Sequence, residues 1–193
     1  MRAFVAILLP TEIRKNIASF YGDLGIVKGI KGVPWENLHI TLNFLGEIEE
    51  EGVELSALCQ NLATAATGMQ PFTMELKGVG AFPSLAAPKT LWVAMEKKKA
   101  LFDLAKAVKA ASPGNAQKPF SPHLTVGRVK YEDPSQERFY REFEFKKREA
   151  YSFGHFRVSS FFLMKSDLTG KTPVYTVVEE FKIKDGEKLN GSR

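Results

Sequence analysis

The sequence predicts a mixed α+β fold built as an internal duplication around one groove. Three observations carry this reading. Short apolar or alternating segments, legible as strands, are interleaved with segments whose apolar residues recur at helical spacing. The order strand, helix, loop, strand begins at Phe4 and begins again at Leu91. The last strand of each set carries the same small frame, His39-Ile40-Thr41 in the first and His123-Leu124-Thr125 in the second.

The elements follow in order. Phe4 to Leu9 is a buried strand ended by Pro10. Thr11 is placed to cap a helix that starts at Glu12 and runs toward Tyr21, with Ile13, Ile17 and Phe20 at helical spacing. Gly22, Gly25, Gly29 and Gly32 mark a connection that ends at Pro34-Trp35. Leu38 to Leu45 is the strand of the first frame, and Gly46 is expected to stop it. Glu49 to Ala66 is a helix through Val53, Leu55, Leu58 and Leu62. Phe72 to Val79 and Leu91 to Met95 are strands, and Lys97 to Ala111 is a helix with Leu101, Leu104 and Val108 on one face. His123 to Val129 is the strand of the second frame. Gln136 to Glu144 predicts a helix, although Phe143 and Phe145 also fit strand alternation. Phe156 to Lys165 and Tyr175 to Ile183 predict two antiparallel strands joined near Thr169-Gly170. One domain is expected over residues 1–183, with a polar, disordered tail over 184–193.

Bulk properties narrow the function classes. The chain has 193 residues, 44% apolar and 25% charged, which is enough for a real core and ordinary for a soluble globular protein. The net charge of +5 favours an anionic partner without identifying it. A single cysteine, Cys59, excludes an internal disulfide and a multi-cysteine zinc site. No apolar run is long enough to span a bilayer, and Met1 to Pro10 makes a poor signal peptide. A cytoplasmic protein with no membrane association and no obligate protein partner is the expectation.

The paired frames carry the chemistry. On a strand, residues i and i+2 share a face, so each frame sets an imidazole beside a hydroxyl. An imidazole exchanges a proton near neutral pH, and a hydroxyl donates to an anionic oxygen. Two such pairs facing each other across a groove suit acid–base chemistry on a phosphate. His39 and His123 are therefore the candidate catalytic residues, and Thr41 and Thr125 the candidate phosphate donors. Arg128 is a further candidate phosphate contact. Regular alternation puts it on the face opposite His123, unless a bulge at Gly127 turns it back. Trp35, Phe44 and Phe82 are candidate platforms for a nucleobase, with Phe44 weighed toward the core. Lys31 and Lys118 precede the two frames and are placed to guide a phosphate backbone. No metal and no cofactor is expected: a catalytic zinc usually takes three protein ligands, and the third histidine, His155, lies outside any such frame.

These residues resemble the two-histidine phosphoesterases, and within them the bacterial and archaeal RNA 2′,3′-cyclic phosphodiesterases, also called 2′-5′ RNA ligases. The resemblance rests on Asn37 to Gly46, on Gly80-Ala81-Phe82-Pro83-Ser84 with Leu91-Trp92, and on Ser121 to Arg128. The opening Arg2 to Ala6, and Ser166-Asp167-Leu168 with Tyr175, also fit. Asn43 and Lys89 depart from the pattern, where basic residues and arginine respectively are common. The resemblance implies a bilobal α+β fold, with two antiparallel sheets lining a central cleft and helices outside. It implies opening of an RNA terminal 2′,3′-cyclic phosphate to a 2′-phosphate, with His123 as general base and His39 as general acid. The residues alone permit the swap. The expected partners are RNA ends or nucleotides carrying a 2′,3′-cyclic phosphate. The alternatives are a 2′-5′ RNA ligase and an RNA-binding module that turns nothing over.

Overall fold

The structure is a computed structural model that describes residues 1–21, 27–112, 114, 119–134, 136–148 and 151–184. The chain begins with strand β1 (Arg2–Leu8) and helix α1 (Thr11–Phe20). A short strand β2 (Ile30–Gly32) and a 3-10 turn (Trp35–Asn37) lead to β3 (His39–Glu47). Helix α2 (Val53–Thr67), strands β4 (Phe72–Pro83) and β5 (Pro88–Met95), and helix α3 (Lys99–Ala111) follow. Then come β6 (Leu124–Val129), α4 (Gln136–Arg148), β7 (Ser152–Val158), β8 (Ser160–Asp167) and β9 (Val174–Lys182).

The strands form two antiparallel sheets, ordered β3-β1-β8-β9 and β2-β6-β5-β4-β7. The duplication is visible in this order. β3 beside β1 and β8 matches β6 beside β5 and β4. Each half also gives a strand to the other. β4 follows the first frame's helix but joins the second frame's sheet, and β8 follows α4 but pairs with β1. Helices α2 and α3 pack together, with α2 against β9 and α3 against β3; α1 packs on β7 and α4 on β4. Each sheet therefore has helices on its outer face. Leu101, Leu104 and Val108 of α3 are fully buried, each worth about 1.5–3 kcal/mol of apolar burial. Among the described residues no helix is long and apolar enough to cross a membrane.

Several expectations change. Thr11 does not cap α1: Pro10 occupies the cap position in an extended conformation, Thr11 is already helical, and no side-chain cap bond forms. Gly46 does not stop β3. It adopts a positive φ of 83° within a bulge, pairs with Ala3, and lets the strand continue to Glu47. The run from Phe156 to Lys165 is two strands, because the chain passes from one sheet to the other at Ser159 and a continuous apolar pattern hides that crossing. The ambiguous stretch after Pro134 is the helix α4. Its Phe139 and Phe143, one turn apart, bring their rings within 5.6 Å of each other on the packed face. Lys118 and residues 185–193 of the expected tail lie outside the described residues.

Candidate active site

The two frames bring their histidines into one cleft of about 1580 Å³ between the sheets. His39 opens β3, and His123 immediately precedes β6. His39, Thr41, His123 and Thr125 all line this cleft and are all half-buried. The residues between them, Ile40 and Leu124, are fully buried on the opposite face.

Both frames are followed by the same irregularity. On β3 the pairing steps from Thr41 opposite Ala6 to Asn43 opposite Val5, which leaves Leu42 as an extra residue. On β6 it steps from Thr125 opposite Trp92 to Gly127 opposite Leu91, which leaves Val126 as the extra residue. Each bulge lies three residues beyond its histidine and reverses the alternation that follows. Arg128 is thereby returned to the side of His123 and Thr125, exposed and lining the cleft. The same shift acts on Phe44. Regular alternation places it in the core, but it is 56% exposed and lines the cleft. The side chain turned inward instead is Asn43, only 4% exposed. Its Nδ2 donates to the Ser112 carbonyl at 2.6 Å and to Ser112 Oγ at 3.2 Å, tying β3 to the end of α3.

The histidines are held in the same way. His39 Nδ1 lies 2.7 Å from the Asn37 carbonyl, and His123 Nδ1 lies 2.7 Å from the Ser121 carbonyl. A carbonyl oxygen only accepts, so each Nδ1 carries a proton and each Nε2 is left to exchange one. Sequence reasoning missed this tether, although both backbone acceptors stand two residues before their histidines. Aromatic rings brace the imidazoles. Tyr175 meets His39 edge-on at 5.2 Å, and Phe82 meets His123 edge-on at 5.2 Å. Phe4 lies 4.9 Å from the His39 ring, in a small apolar cluster with Ala6 and Met164. Phe82 rests in turn against Trp92, whose ring covers Gly80 so closely that any Cβ there would collide with it.

The His39 imidazole is held in a desolvated setting. Burial among these rings pushes His39 below its ordinary value of 6.5; the Asn37 carbonyl opposes this, and the charge of nearby His123 adds to it. Burial raises the Tyr175 hydroxyl, against the pull of Arg128 and then Arg2. Arg2 also lines the cleft, so two guanidinium groups stand at the Tyr175 wall. Arg2 and Tyr175 were legible only as part of the family resemblance.

Of the remaining candidates, Phe82 and Lys31 line the cleft. Trp35 is exposed on the 3-10 turn and is not among the lining residues. His155 sits outside the cleft, with Nε2 3.7 Å from the Glu75 carboxylate, its register partner on β4.

Comparison with known proteins decides the family. Residues 7–92 match the family model described as LigT like Phosphoesterase. A protein of Archaeoglobus fulgidus named RNA 2′,3′-cyclic phosphodiesterase is 37% identical, over 94% of this chain and all of its own length. The chain belongs to the LigT-like phosphoesterase family. A Methanocaldococcus jannaschii relative of this phosphoesterase, with the same name, is 34% identical over 94% of the chain and 100% of its own. A crystal structure from Thermus thermophilus superposes with a TM-score of 0.79 at 32% identity, covering 96% of this phosphoesterase and 100% of that chain. Escherichia coli LigT, crystallised with NADP+, superposes with a TM-score of 0.73 at 25% identity, covering 94% and 97%. The two antiparallel sheets and outer helices described above are thus those of LigT-like structures.

Proposed function

We propose that this chain hydrolyses the 2′,3′-cyclic phosphate at an RNA end to a 2′-phosphate, without a metal ion, using His39 and His123 as an acid–base pair. The observation that carries this reading is the matched tethering of two imidazoles that line one cleft. His123 Nε2 takes a proton from water as the water oxygen bonds to phosphorus. The bond from phosphorus to O3′ breaks, and His39 Nε2 delivers its proton to that oxygen. His39 ends neutral and His123 protonated, and exchange with solvent restores both. Thr41 and Thr125 donate to the non-bridging oxygens, and Arg128 supplies countercharge where negative charge gathers.

The assignment of His39 as acid asks something of the substrate. In the free cleft His39 is biased toward the neutral form. An anionic phosphate beside it favours the cation and restores the proton the leaving oxygen needs. One chain supplies both histidines, so the reaction needs no obligate protein partner, and an RNA-end substrate suits a cytoplasmic enzyme.

The test is product analysis on a short RNA ending in a 2′,3′-cyclic phosphate, in chelator, with His39→Ala and His123→Ala alongside. A 2′-phosphate product, lost in both variants while binding is kept, is expected. Turnover that requires added divalent metal rejects the mechanism. Joining to a 5′-hydroxyl acceptor faster than hydrolysis favours the ligase. No turnover by the unaltered protein leaves an RNA-binding module.

A further inference from the structure

The cleft extends past the histidines in two directions, and its ends differ. At one end Lys31 Nζ donates to the Lys171 carbonyl and Asn37 Nδ2 to the Pro173 carbonyl, both at 2.7 Å. These bonds strap β2 and the 3-10 turn to the β8–β9 connection. Arg128, the register partner of Lys31, stands at this end. At the other end lies Phe44, which holds the position on β3 that Arg128 holds on β6, beside the end of α3 to which Asn43 is tied. Phe102, Lys106 and Lys109 of α3 fall at spacings of four and three, so they form one stripe along the helix. All three are exposed and line the cleft. Lys98 and Lys99, at the start of the same helix, are engaged by Glu96 and Asp103. Among the described residues neither Lys106 nor Lys109 is in an ion pair.

We infer that the Phe44–α3 end is the track by which a single-stranded RNA leaves the active site. This rests on the hydrolase reading above and adds the path and the preferred substrate. With the cyclic phosphate between the histidines and its charge toward Arg128, the ribose and base point away from the strapped end. The terminal and preceding bases then stack on Phe44 and Phe102, and the phosphates 5′ of the terminal nucleotide meet Lys106 and Lys109. Exposed π-faces beside unpaired cations are the combination that holds single-stranded nucleic acid without reading its sequence. An oligomer with a cyclic end is therefore a better substrate than a cyclic mononucleotide.

The experiment compares kcat/KM for a four-nucleotide RNA ending in 2′,3′-cyclic phosphate with that for cytidine 2′,3′-cyclic phosphate, at 50 and 200 mM salt. Two phosphate contacts give a logarithmic salt slope of about −1.4 for a single strand, so the oligomer-to-mononucleotide ratio falls about sevenfold over that range. In Lys106→Ala/Lys109→Ala the ratio drops at least several-fold at 50 mM salt and its salt response flattens, the stacking on Phe102 being kept, whereas Lys15→Ala on α1 keeps both. A ratio near one in the unaltered protein, or an unchanged ratio and slope in the double variant, overturns the track. Fluorescence anisotropy of a 5′-labelled oligomer ending in 2′-phosphate reads the same contacts without turnover. Lysine-dependent binding with no hydrolysis of either substrate defeats the hydrolase reading alone. Hydrolysis with lysine-independent oligomer binding defeats the track alone.

Discussion

Asn43→Leu keeps the branching of a buried side chain and removes its donor group. Nδ2 makes two contacts, 2.6 Å to the Ser112 carbonyl and 3.2 Å to Ser112 Oγ, and Ser112 is wholly buried. The Ser112 carbonyl stands just past the end of α3, where no further helical N–H reaches it. Losing Asn43 therefore strands a buried acceptor, which costs about 1–3 kcal/mol. Ser112→Ala is different. Its hydroxyl donates to the Val108 carbonyl at 2.6 Å, but that carbonyl also accepts the Ser112 N–H at 2.9 Å and keeps a partner. The cost there is about 0.5–1.5 kcal/mol. The Asn43–carbonyl bond survives Ser112→Ala, so the pair should couple by less than about 1 kcal/mol in a double-mutant cycle. Urea unfolding followed by far-UV circular dichroism, with m unchanged, measures all three. If Asn43→Leu lies within about 0.5 kcal/mol of the parent, or Ser112→Ala costs more, the reasoning about the stranded carbonyl is wrong.

Two further outcomes follow from the site. Because His39 is held below 6.5 in the folded chain, the unfolded chain binds more protons between its folded value and about 6.5, so stability rises with pH across that window and falls as acid is added through it. His39→Gln removes that contribution, and an identical slope in denaturation midpoints between pH 5 and 7.5 for parent and variant contradicts the assignment. Arg128→Ala should lower kcat/KM by about 10–150-fold, corresponding to a charged hydrogen bond of about 1.5–3 kcal/mol, with Arg128→Lys recovering only part of it. Steady-state kinetics in which Arg128→Ala matches the parent would mean that the β6 bulge does not deliver this side chain to the phosphate.

Much of the site was legible because strand geometry is local. The i, i+2 relation of His39 to Thr41 and of His123 to Thr125 needs only a pleated backbone, and the duplicated order of elements predicted a shared groove. The bulges were not legible. Leu42 and Val126 are ordinary strand residues, and nothing in either marks it as the extra one; the partner strands β1 and β5 decide it. Regular alternation therefore points Phe44 to the core and leaves the side of Arg128 open, since one inserted residue flips all that follow. The crossing at Ser159 escaped for a related reason. The apolar residues on either side pack into one continuous core, so burial does not change where the sheet does. Lys106 and Lys109 are not legible in the sequence, because a lysine on an exposed helix face is usually solvated and only the cleft's extent gives these two a neighbour.

The pH dependence of kcat/KM for a cyclic-phosphate RNA, measured in chelator on the unaltered protein, His39→Ala and His123→Ala, tests the paired imidazoles most directly. The parent should give a bell, and each variant should lose about 10²–10⁴-fold while keeping a single limb. In His39→Ala the residual rate keeps only the limb of the general base and rises with pH. In His123→Ala it falls with pH, at a value below 6.5, because burial holds His39 low. Opposite limbs reverse the roles of acid and base, and a full bell surviving in either variant contradicts the account.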